Sequence, residues 1–182
     1  MNTAKKVIHR FIFQSYCIDD QFRVIYSESS ERPAPTLAER DRKMAQMNSP
    51  ALIKNFVEGG KAIFTLESAV TGTHFTFKVI RRENIPGMFV NLLSGPNNLS
   101  DYTYLGALND AGDLRLTPKS RVSASAPSFK AFEFFAKTVL KNLRKPETLI
   151  VRHEGRCGRC GRPLTTPESI DAGFGPECIK HV

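Results

Sequence analysis

The apolar positions of this chain fall into blocks of different period. Residues 7–18 and 21–27 are rich in Ile, Val, Phe and Tyr and flank Asp19-Asp20, a pattern that predicts a β-hairpin. ERPAPT, residues 31–36, reads as a proline-broken linker, after which Thr36 caps a short, highly charged helix over residues 37–47. The next helix is better specified. Ser49 stands as N-cap, Pro50 takes the first helical position, ALIKNFVE follows and Gly59-Gly60 stops it. Leu52, Ile53, Phe56 and Val57 then share one face.

The middle of the chain changes to a period of two. Residues 61–68 alternate, with Ile63 and either Phe64 or Leu66 inward. Val70-Thr71-Gly72 turns the chain, and residues 73–80 return with Phe75, Phe77 and Val79 on one face. Further strands are predicted over 88–93, 102–108 and 114–117, separated by the turn clusters SGPNNLSD and NDAGD. SRVSASA, residues 120–126, is a loop. Pro127 opens the longest helix, with Phe129, Phe132, Phe135 or Ala136, Val139 and Leu143 as its apolar stripe and Lys130, Lys137 and Lys141 outward. Arg144-Lys145-Pro146 ends it, where positive charge suits the helix dipole, and residues 148–152 form a last short strand. The expected fold is therefore α+β: an antiparallel β-sheet packed by two or three helices, over residues 1–147, with residues 1–60 as an N-terminal subregion. A small C-terminal module, of zinc-ribbon or treble-clef type, occupies residues 148–182.

Composition refines this picture. Hydrophobic residues make up 41% of 182 positions, enough for a core, and 13 Phe against 4 Tyr and no Trp predict one built on phenylalanine. No stretch approaches the length of a membrane span. The basic-then-apolar N-terminus resembles a signal peptide only superficially. His9, Arg10, Gln14 and Ser15 interrupt the apolar run and no small-residue cleavage site follows, so a cytoplasmic protein is expected. The net charge is +8. Residues 127–182 hold ten basic and six acidic side chains, so this tail supplies half of the excess. Such charge attracts phosphate and makes nucleic acid the leading macromolecular partner, the bland alternative being a soluble basic surface.

The tail also holds three of the four cysteines. Cys157 and Cys160 are separated by two residues, and seventeen more lead to Cys178, the spacing of the two halves of a tetrahedral zinc site. Gly161 lets the backbone turn behind the second cysteine, so that amides can point at thiolate sulfurs. Between the halves, Thr166 caps, Pro167 starts and Gly173 stops a short helix, and Gly175-Pro176 brings Cys178 back. A structural zinc site needs a fourth ligand. His153, four positions before Cys157 and leaving a strand, is favoured. His181, three after Cys178, is the alternative, with better local spacing but next to the last residue of a fraying terminus. A redox pair is the competing reading of Cys157 and Cys160, but Gly158, Gly161 and Pro163 disfavour the helix that such a pair opens. Cys17 is expected to be a small buried apolar residue.

HEGRCGRCGRPLTTPESIDAGFGPEC, residues 153–178, resembles a family of small uncharacterised cysteine-rich domains of bacterial, plasmid and phage proteins. The shared pattern is a CGRCGR knuckle, an LT-x-P-x-SI helix start and a G-x-GP-x-C close, and a histidine ahead of the knuckle adds weight to His153. FTLESAVTGTHFTFKV, FVNLLSGPNNLSDYTYLGAL and SAPSFKAFEFFAKTVL resemble a companion domain of hypothetical mobile-element proteins. Neither resemblance implies a known reaction.

Nothing else has the form of an active site. His74 falls on the polar face of a strand, Asp19-Asp20 and Asp101 sit in turns, SGPNN lacks the lysine and helix of a phosphate loop, and Ser94, Ser120 and Ser125 have no base motif nearby. A closed zinc site leaves no position for a catalytic water, so no enzyme is expected. Lys137, Lys141, Arg144, Lys145, Arg152, Arg156, Arg159 and Arg162 form a basic set around the knuckle. From it Lys141, Arg144, Lys145, Arg152, Arg156, Arg159 and Arg162 are the expected nucleic-acid contacts. The structural alternative is that these arginines solvate the module and pair with Glu168, Asp171 and Glu177. The leading expectation is a non-enzymatic zinc protein of phage or plasmid type that holds nucleic acid with weak sequence preference. The second is a protein-interaction module or inhibitor that binds a host or defence complex.

Overall fold

The computed structural model describes residues 45–182. The predicted hairpin, the proline-broken linker, Cys17 and most of the charged helix over 37–47 lie outside the described residues. The end of that helix does not: Ala45–Met47 is a strand, β1, paired antiparallel with the later strand through Ala45↔His153, Gln46↔Arg152 and Met47↔Val151. Two causes favour extension over helix. Met47 gains complete burial in the core, and Ser49, preceding Pro50, is held in the extended region (φ −81, ψ 117) that a following proline favours.

Helix α1 (Pro50–Glu58) begins and ends where the caps predict, with the Ser49 hydroxyl accepting from Leu52 N–H, and it buries Ile53, Phe56 and Val57. Strands β2 (Lys61–Ser68), β3 (His74–Arg81), β4 (Met88–Leu93), β5 (Tyr102–Leu108) and β6 (Leu114–Arg115) follow as an antiparallel meander. Strand β7 (Leu149–His153) inserts between β1 and β2, giving the order β1-β7-β2-β3-β4-β5-β6. In β2 the inward set is Ala62, Phe64 and Leu66; Ile63 lies on the other face, half-buried. The register explains this, because Phe64 opposes Phe77 and Leu66 opposes Phe75, so all share one face.

The long helix comes in two parts. Residues Pro127–Phe135 form α2, and Ala136–Lys141 continue it with the wider π-helical turn. The wider turn advances the stripe by less than an α-helix would. Leu140 therefore joins Val139 in the core, while Leu143, at φ 51, is half exposed instead of completing the stripe. Phe132 and Phe135 meet Phe77 and Phe64 at ring distances of 5.0 and 5.3 Å, edge-on or tilted, so the core is built on phenylalanine as the composition implies. The helices of the described residues pack on this one face of the sheet, an α+β arrangement. None of them is long and apolar enough to cross a membrane.

Candidate metal centre

Strand β7 delivers the chain from the sheet into the cysteine tail. The knuckle is closed by its own backbone: Cys157 N–H donates to Arg162 O at 2.9 Å, and Gly161 N–H donates to Cys157 O at 2.9 Å. Gly161 has φ +76, a conformation that L side chains seldom adopt, which is why glycine stands there. The helix α3 (Pro167–Ala172) carries the predicted cap, Thr166 Oγ1 accepting from Ser169 N–H, and ends at Gly173 in the left-handed region. A 3-10 turn, Ile179–His181, follows Cys178.

These local choices bring three sulfurs together. The Sγ atoms of Cys157, Cys160 and Cys178 all lie within 4.8 Å of one another. Thiolates on a tetrahedral zinc with bonds of about 2.3 Å stand about 3.8 Å apart, so one ion fits among them without rearranging the chain. The donor set fits a metal chemically as well. Burial opposes ionisation of Cys157, yet backbone N–H groups of Cys160, Gly175 and Arg159 and the Cys160 thiol point at its sulfur and bring its pKa down to about 7. Cys178 is pushed the other way, to about 11, by desolvation and by its two sulfur neighbours. Three thiolates so close repel one another, and a divalent cation is what removes that repulsion. The three cysteines thus form a cluster that can hold a metal ion.

His153 has a different setting. It is fully buried, 5.2 Å from the Phe56 ring, and both ring nitrogens are engaged. Nδ1 accepts from Gly155 N–H at 3.2 Å, which places the proton on Nε2, and Nε2 donates to Ile170 O at 2.8 Å. Burial lowers its pKa, while the Ile170 carbonyl and nearby Asp171 work in the opposite direction. The imidazole therefore ties β7 to the end of α3 and stands outside the sulfur cluster. His181 is exposed in the terminal turn, its N–H on Cys178 O, and is likewise outside the cluster.

The supports of the knuckle come from far upstream. Lys61 N–H donates to Gly158 O at 2.7 Å, and Gly158 N–H donates to Gly173 O at 3.1 Å. A Cβ on Gly158 would stand 2.6 Å from Phe56 O, and one on Gly59 would stand 2.8 Å from Gly158 O. Gly59 thus does more than stop α1: it lets the knuckle rest on the end of that helix. Phe174, fully buried, meets the Phe56 ring at 6.1 Å. The glycine doublet was the sequence signal for this contact, but it carries no address for the partner segment.

The seven expected nucleic-acid contacts do not form one ring. Arg156, Arg159 and Arg162 are exposed on the knuckle, Arg156 also donating to Gly161 O. Arg152 is half-buried and paired with Glu67 at 3.3 Å, and Lys141 is paired with Asp113 at 2.6 Å. Arg144, exposed, and Lys145, half-buried, precede β7 at its other end, where Thr148 O accepts from Ala69 N–H. Five residues of strand, about 17 Å, lie between that end and the knuckle.

No curated protein and no solved structure matches the chain. What does match is its tail: residues 149–182, from the start of β7 through the three clustered cysteines to Val182, are similar to a family of unknown function, DUF6011.

Proposed function

We propose that the cysteine cluster binds a structural zinc ion and that the knuckle built on it contacts nucleic acid without catalysing a reaction. One observation carries the reading: the chain that holds the sulfurs together also holds Arg156, Arg159 and Arg162 outward on a single short knuckle. Arginine presents a planar fork of donors that matches phosphate oxygens, and a knuckle fixed by metal loses little freedom when it binds. Arg152 and Lys141, already in ion pairs, contribute less to such a contact than the three knuckle arginines. The fourth ligand falls to His181, which would swing in from the exposed terminal turn to reach the ion, because both nitrogens of His153 are occupied within the fold. Four protein ligands leave no position for a catalytic water, which is the ground for the non-enzymatic assignment. A phage or plasmid setting rests on the resemblance of the tail alone.

Metal analysis combined with binding tests the reading. One zinc per chain is expected, lost in Cys178→Ser and His181→Ala and kept in His153→Ala. Binding to a labelled duplex, followed by fluorescence anisotropy, is expected to weaken steeply as salt rises, and Arg159→Ala to flatten that salt dependence by about one phosphate contact. Salt-independent binding to a protein partner, with no nucleic-acid affinity, would point to the interaction module instead.

A further inference from the structure

The face of the sheet opposite the helices is not the plain polar surface that a one-sided antiparallel sheet usually presents. Its residues follow from the register. Lys61, Ile80, Phe89, Ala107 and Arg115 are successive partners across β2, β3, β4, β5 and β6. Lys78, Asn91 and Tyr104 form the adjacent row across β3, β4 and β5. The Phe89 and Tyr104 rings stand 6.2 Å apart and are half-buried, so part of each remains open to solvent. Two cations already lie on aromatic faces here: the Arg82 guanidinium 5.1 Å from the Phe89 ring centroid, and the Lys78 ammonium 5.0 Å from that of Tyr102.

Charge on this face is unequal. Lys61, Lys78, Arg82, Arg115 and Arg152 are basic; of the acidic groups, Glu67 is taken up by Arg152, and Glu154 lies near enough for its charge to act on the Tyr102 hydroxyl. The hydroxyl of Tyr102 is shielded from solvent and, among the described residues, is the one such side-chain polar atom without a hydrogen-bond partner. The edge is continuous with the knuckle, because the Lys61 side chain runs beside Gly161, within 3.7 Å of where a Cβ would stand.

We propose that this helix-free face binds a single strand of nucleic acid, with bases stacked on Phe89 and Tyr104 and the phosphate backbone held by Lys61, Lys78, Arg82 and Arg115. Rings spaced across neighbouring strands accept the π-face of any base, and cations that in the free protein lie over the Phe89 and Tyr102 rings are placed to move onto the backbone as a base stacks. A duplex keeps its bases stacked inside the helix and offers only phosphate, so the face distinguishes single from double strands. The knuckle arginines are not among its contacts, although Lys61 borders the knuckle at Gly161.

Fluorescence anisotropy with a labelled oligothymidylate strand and with a duplex of matched length tests it. Tyr104→Ala is expected to weaken single-strand binding about 5- to 100-fold and to leave duplex binding unchanged. The double change Lys78→Gln with Arg82→Gln, both outside the core, is expected to lower the salt slope for the single strand by about 1.4. Circular dichroism checks that each variant is folded. The proposal is overturned if the 182-residue chain does not bind the single strand, or if folded Tyr104→Ala and the double variant bind it as wild type does. It is also overturned if Tyr104→Ala weakens both ligands equally. Single-strand affinity that disappears with Arg159→Ala alone overturns the sheet-face site and leaves the knuckle reading standing.

Discussion

Around Phe132 the protein is held by rings: Phe64, Phe77 and Phe135 all lie within 6.3 Å of it, centroid to centroid, and all four are fully buried. Around Cys157 the apolar side chains are fewer, chiefly Phe56, Phe174 and Leu164. Helix α3 buries none of its residues, and the knuckle is fixed by backbone hydrogen bonds, close-approaching glycines and the sulfur cluster. One region is stabilised mainly by apolar area removed from water, the other largely by backbone geometry around a sulfur cluster that can hold a metal ion. The two meet at Phe56, whose ring lies 5.2 Å from that of His153 and 6.1 Å from that of Phe174. Since the described tail leans on α1 through that ring, it is seated on the sheet domain and does not rely on metal alone.

This contrast can be broken or sharpened by substitution. The largest effect is expected from Phe132→Ala, about 3–5 kcal/mol of global stability read from denaturant melts, because it opens a cavity at the centre of the ring cluster. Cys178→Ser, or chelation of the metal, is expected to remove amide protection in the tail while β2 and β3 stay protected in hydrogen exchange. Loss of protection across the whole sheet would show that the tail is part of one cooperative unit. Gly158→Ala is expected to cost about 1–3 kcal/mol and to weaken metal retention, since the new methyl would meet the backbone oxygen of Phe56 at the contact that seats the knuckle. Metal content and melts on the same sample check both parts.

The smallest effect belongs to the surface. The carboxyl of Asp113 is held below its ordinary value first by the hydrogen bond from Lys141 and next by that from Asn109. Its contribution to stability is thus present above its unfolded pKa, near 3.8, and is lost as the pH falls through the lower folded value. Titration of the Asp113 side-chain carbon by NMR, with and without Lys141→Gln, is expected to show the pKa rising when the lysine is removed.

Local chemistry in the sequence determined a good deal. Ser49-Pro50 and Gly59-Gly60 bound α1, the period of two in 73–80 and 88–93 yields strands, and Thr166-Pro167 with Gly173 bounds α3. Caps, alternation and turn residues act over a few positions, so they can be read without the fold. The spacing of Cys157, Cys160 and Cys178 likewise announced a metal-holding cluster, and the structure brings their three sulfurs together. Where tertiary structure decided, a distant partner changed the outcome. Ala45–Met47 became a strand because β7 offered it an edge; Leu140 displaced Leu143 because the helix widened into a π turn above the core. His153 was drawn out of the sulfur cluster because Gly155 N–H and Ile170 O, together with the Phe56 ring, satisfy its ring where it is buried. The basic residues, adjacent in sequence, were separated because a strand carries its two ends apart and because Glu67 and Asp113, distant along the chain, claim Arg152 and Lys141. Spacing along a chain sets which groups can meet locally, whereas register and packing across the sheet set which ones do.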